Sequence, residues 1–177
     1  MAVENKWVNA NAEAGRRGPS SALSGGKKVT VLGNFEVAAG DSNASVYKLA
    51  RIPSNAIPVP GECHVFADGS IDGTDFDFGF YKNGPLGPQG ADAIAVEVDI
   101  LADGLDLASG EAITAPLNML TNLGGADPLA NIGKKVWELV GATVDNKLES
   151  YILAMTANVA GGAAGTIGYV FTYIVTD

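Results

Sequence analysis

The chain has 177 residues, 47% of them apolar and 18% charged, and a net charge of −9. That length supports one domain with a real core, and the composition excludes a disordered chain. The negative balance excludes nucleic acid as the main partner, because phosphate binding needs a basic surface.

Cys63 is the single cysteine, so no intrachain disulfide can form. The N-terminus lacks a signal-peptide core of roughly 7–15 apolar residues, and no run approaches about 18 apolar residues. Synthesis in a cytoplasm and no membrane partner are therefore expected. The charge is uneven. Residues 1–28 carry five basic and two acidic residues, a net +3, and the remainder carries six basic and eighteen acidic, a net −12. A basic arm on an acidic body suits docking onto an acidic neighbour. The plainer reading is an ordinary tail composition.

Residues 1–28 read as an extended arm, rich in Ala, Asn, Gly and Ser, with Gly18-Pro19 and Gly25-Gly26. Trp7 and Val8 are large apolar residues with nothing local to bury against. Either the arm folds back on its own domain or Trp7 anchors it in a neighbour, as interface aromatics often do. The candidate partner-binding residues are Lys6, Trp7, Val8, Arg16 and Arg17.

The body starts near Lys27 and spans residues 29–177. Val29, Val31, Phe35 and Val37 share one parity, which predicts a strand with one buried face. Residues 40–43 make a turn, and 44–52 a second strand ended by Pro53. Residues 57–67 make a third, with Pro58 and Pro60 at its start, where proline costs least. Phe76, Phe78 and Phe80 alternate with Asp75, Asp77 and Gly79. Ile94, Val96, Val98 and Ile100 repeat that pattern. Residues 102–133 read as loops, with a short helix or strand within 115–123. Val136 to Val140 is a short amphipathic piece, helical or extended.

Two long strands follow. Tyr151, Leu153, Met155 and Ala157 alternate in the first, and Ile167, Tyr169, Phe171, Tyr173 and Val175 in the second. A Gly/Ala turn at 160–165 joins them. Val170 and Ile174 make the last strand apolar on its other face too. Such a strand is central in a sandwich or covered by another subunit. Seven or eight strands with almost no helix predict an all-β fold, a β-sandwich of jelly-roll or Greek-key type with an extended N-terminal arm.

Chemistry finds little support. His64, the one histidine, neighbours Cys63 in a predicted strand, so their side chains point to opposite faces. No Gly-x-Ser-x-Gly elbow and no phosphate-binding Gly-x-x-x-x-Gly-Lys-Ser/Thr occurs. One Cys and one His leave zinc short of ligands. Asp68, Ser70, Asp72 and Gly73 match the first half of a calcium loop, but Gly79 stands where a bidentate Glu is required. The competing reading of 68–75 is a hairpin turn, for which Asp-Gly is a strong signal. No catalytic residue, cofactor site or metal site is assigned, and the chain is expected not to be an enzyme.

Several segments, in order, resemble a family of tailed-bacteriophage capsid cement (decoration) proteins. They are Val31-Leu32-Gly33 with Ala38-Ala39-Gly40-Asp41, then the run Tyr47-Lys48-Leu49-Ala50-Arg51-Ile52-Pro53-Ser54-Asn55-Ala56. Phe76-Asp77-Phe78-Gly79-Phe80-Tyr81 and Lys135-Val136-Trp137-Glu138-Leu139-Val140-Gly141 follow, and a Tyr-rich strand and a Gly-Thr strand close the set. Together they cover most of 29–177, and the run at 47–56 is the most specific. The resemblance implies a jelly-roll-like module on the capsid exterior of a virion. It implies clamping of neighbouring major capsid protein subunits, as a homotrimer. The arm is longer and more basic than the pattern, which suits contact with neighbouring cement subunits. Two rival readings are a tail-tip or fibre-base adhesion module binding host glycan, and a small jelly-roll hydrolase using paired carboxylates.

Overall fold

A computed structural model describes residues 5–7, 26–41, 43–68, 70–72, 75–83, 93–108, 116–123, 128–146, 149–159 and 163–176. Ten strands are present among them: β1 (Asn5–Trp7), β2 (Lys27–Val37), β3 (Ser45–Pro53), β4 (Ala56–Pro58), β5 (His64–Ala67), β6 (Phe76–Asn83), β7 (Ala93–Leu105), β8 (Leu117–Asn118), β9 (Ser150–Ala157) and β10 (Gly165–Val175). One helical turn, α1 (Val136–Leu139), and a 3₁₀ turn at Pro128–Asn131 complete the elements.

The strands form two sheets. One runs β1-β3-β9-β6-β7, and the other β2-β10-β5-β8, with β4 beside β5 on the same edge of β10. All pairings are antiparallel except that of β1 with β3. The body strands pair first with last and so on inward: β2 with β10, β3 with β9, β5 with β8, β6 with β7. The molecule is an all-β sandwich.

Alternation decides which side chains meet between the sheets. Phe76, Phe78 and Phe80, Tyr151, Leu153 and Met155, and Ile167, Tyr169, Phe171 and Tyr173 all lie in one buried cluster. Phe80 meets Phe171 edge-on, with ring centroids 6.5 Å apart, which ties β6 of one sheet to β10 of the other. The Tyr169 hydroxyl donates 2.9 Å to the Leu49 carbonyl, a second tie across the sandwich. A smaller cluster, Val46, Tyr81, Ile152 and Ala154, lies on the other face of the first sheet. Central β9 is therefore buried on both faces.

Four expectations need correction. The strand expected over 57–67 is two strands, β4 and β5, because 59–63 leaves the ladder at Pro60 and Gly61, where φ is +80°. Both pieces pair with β10, three residues out of step: six residues separate Pro58 from His64, while their partners Tyr173 and Val170 are three apart. The loop expected from 102 begins later, since β7 runs to Leu105. Asp77 accepts the Gly104 N–H at 2.9 Å and holds that end in the sheet. Alternation also fails along β7. While β6 advances two residues, Phe78 to Phe80, β7 runs five, Glu97 to Ala102. This bulge lies over Gly79, where any Cβ would run into the Glu97 and Val98 backbone. Finally, the count rises from seven or eight strands to ten, through short β1, β4 and β8.

Candidate functional site

The run at 47–56 is a structural joint. It spans β3 and the turn into β4. Tyr47 donates from its hydroxyl to Asp41, and the Asn55 amide donates to the Thr176 carbonyl. The Ser54 hydroxyl donates 2.7 Å to Asp145, and the Ser54 carbonyl accepts the Trp137 N–H at 3.0 Å. The run therefore anchors α1 and the C-terminal end to the sandwich. Tyr47, Ser54 and Asn55 are thus occupied in folding.

The thiol of Cys63, the His64 ring and the carboxylates of Asp68 and Asp72 are similarly engaged. Cys63 is buried just before β5, with Sγ 3.4 Å from the Thr172 carbonyl and 3.5 Å from that of Val59. Burial pushes its pKa up to about 11, so at neutral pH it is a neutral thiol. His64 points away from it, its Nε2 3.0 Å from the Gly61 carbonyl. Asp68 accepts the Ser70 N–H at 3.0 Å and the Thr166 N–H at 2.7 Å, and Asp72 accepts the Ala163 N–H at 3.2 Å. These carboxylates stitch the 68–72 turn to the turn before β10. The Thr166 and Ser70 amides also hold Asp68 below the usual carboxylate pKa. Among the described residues, no three His, Cys, Asp or Glu side chains gather to hold a metal ion. No helix among them is long and apolar enough to cross a membrane.

The arm residues divide. Lys6 and Trp7 lie in β1, opposite Tyr47 and Lys48 in the register with β3. Val8, Arg16 and Arg17 lie outside the described residues.

The surface that stands out is the outer face of the second sheet. On β2 it carries Lys28, Thr30, Leu32, Asn34 and Glu36, all exposed. Register places Leu32 beside Val170, and Val170 beside His64. Ile174 lies between Lys28 and Ile57. Phe66 leans over Gly168, its ring about 3.5 Å from where a Cβ would stand. The result is an apolar strip, Leu32, Val170, Phe66, Ile174 and Ile57, crossed by a Thr30–Thr172 hydroxyl contact of 3.0 Å. Its rim is charged: Lys28 bonds Glu62 at 2.6 Å, and Glu36 accepts the Thr166 hydroxyl at 2.7 Å. Leu32 is 66% exposed. Val170 and Ile174 signalled this strip in the sequence; Leu32, on the polar-looking parity of its strand, did not.

No protein-family model and no curated protein matches the chain. The likeness lies in the fold. A chain in the capsid of Ralstonia phage GP4 aligns over 94% of both chains, with a TM-score of 0.57 at 13% identity. A chain of the cyanophage Pam1 capsid asymmetric unit aligns over 92% of this chain and 95% of its own, with a TM-score of 0.48 at 13% identity.

Proposed function

We propose that the chain is a structural virion protein that binds the outside of a phage capsid and cements neighbouring major capsid subunits. The observation that carries this reading is the sandwich shared, nearly end to end, with a chain of the Ralstonia phage GP4 capsid. The strand order supports a jelly roll, since nested first-with-last pairing is what rolling one long hairpin into two sheets produces. The ordered segments from 31 to 177 that resemble cement proteins support the finer role, with a trimer on the capsid exterior. The chain is made in the host cytoplasm and joins the shell there.

Two surfaces suit such a role. The apolar strip of the second sheet offers contact area without a pocket, and the +3 arm offers a grip on an acidic neighbour. Ordering the arm costs roughly 1–2 kcal/mol of backbone entropy per residue, which repetition over a lattice offsets through avidity. In this reading Lys6, Trp7, Val8, Arg16 and Arg17 contact the shell or a neighbouring cement subunit.

The test is purification of intact particles followed by quantification of this chain. A fixed ratio to the major capsid protein is expected. A few copies located off the shell would overturn cementing in favour of an adhesion module. Deleting residues 1–26 is expected to leave a folded body, because β1 adds only three residues to an edge. Occupancy on particles should fall, and unchanged occupancy would remove the arm from the proposal.

A further inference from the structure

Sheet edges are templates for adding strands, and proteins usually blunt them. Apart from β2, the outer strands among the described residues are short or blunted. β1 and β4 have three residues each, and β8 has only two. β7 is bulged, and its Asp99 and Leu101 carbonyls accept bonds from Asn122 and Leu123. The edge at β2 differs. β2 is eleven residues long and pairs with β10 through an unbroken register. It contains no proline or bulge, and no described strand covers its far side.

We propose that β2 pairs with β2 of a second copy, antiparallel, across a two-fold axis at Leu32. The occupant is argued from charge and register. Leu32 is the middle residue of Lys27–Val37, so a two-fold there overlaps the two strands end to end. That same register sets Lys28 opposite the second copy's Glu36, and Glu36 opposite the second copy's Lys28. Thr30 faces Asn34, and the exposed Leu32 faces its own copy. Shifting the axis to Val31 or Gly33 shortens the overlap and separates both charge pairs, so one register satisfies length, charge and apolar contact together. Within the chain Lys28 has Glu62, a surface pair of modest worth, and Glu36 has the Thr166 hydroxyl. Both side chains lie on the sheet face and leave the strand edge open. Such an isologous contact closes at two copies. The contact does not rest on the capsid reading; within that reading it would join one trimer to another rather than build one.

Cysteine cross-linking of the full-length chain tests this. Leu32→Cys should give a disulfide-linked dimer on a non-reducing gel, since directly opposed strand residues fall within disulfide reach. Thr30→Cys alone should not, while Thr30→Cys mixed with Asn34→Cys should. Wild type, with only buried Cys63, is the blank. Lys28→Glu should weaken the Leu32→Cys cross-link about tenfold, and Lys28→Glu with Glu36→Lys should restore it. Equal cross-linking by Leu32→Cys and Thr30→Cys alone, none by Leu32→Cys, or no rescue by the double reversal would each overturn the proposal.

Discussion

At the scale of single residues, the inner layer is unusual in carrying phenols instead of hydrocarbon alone. Tyr47, Tyr151, Tyr169 and Tyr173 are all buried. Burial raises the pKa of Tyr169 to about 12 and also raises those of Tyr151 and Tyr173. The unfolded chain gives up these protons first, near the ordinary value of about 10. Stability is therefore intact below that value and falls as pH rises toward about 12. Cys63 adds to the same trend from about 9, its ordinary value, to about 11. Tyrosinate absorbance and loss of near-ultraviolet circular dichroism are expected to rise together in one alkaline transition. Tyrosinate appearing in full before the fold is lost would contradict this. Tyr169→Phe strands the Leu49 carbonyl and is expected to cost about 1–3 kcal/mol in denaturant melts at neutral pH.

At the scale of elements, legibility followed regularity. β6, β9 and β10 were readable because their large apolar residues keep period two and the structure buries that same parity. β7 was not, since three surplus residues between its partners for Phe78 and Phe80 reset its parity. A bulge leaves no trace in a hydrophobic pattern read strand by strand. Gly79 is the residue that betrays it, as the one position in the phenylalanine strand without a side chain where β7 crosses. Gly79→Ala is expected to cost about 1–3 kcal/mol or more through overpacking, measured by denaturant midpoint. A neutral result would mean the β7 bulge can lift away freely. For the candidate site, charge counting pointed to residues 1–28, most of which lie outside the described residues, and cross-strand register was needed to align Leu32, Val170 and His64. That alignment joins residues from three distant strands and has no local signal.

At the scale of the molecule, the two ends of the chain are not equivalent. Deleting 1–26 removes an edge, whereas deleting 165–177 removes the centre of a sheet. β10 pairs with β2, β4 and β5 at once. That C-terminal truncation is expected to abolish cooperative unfolding altogether, which a flat thermal melt would register. The nested pairing also sets a timetable. The first strand of the second sheet pairs with β10, so that sheet cannot be completed until residues 165–175 have been made. Contacts this remote in sequence form slowly, on a scale of roughly milliseconds to seconds. A chain that stops short of β10 therefore exposes β2 on both edges, an invitation to aggregation that pairing with β10 halves.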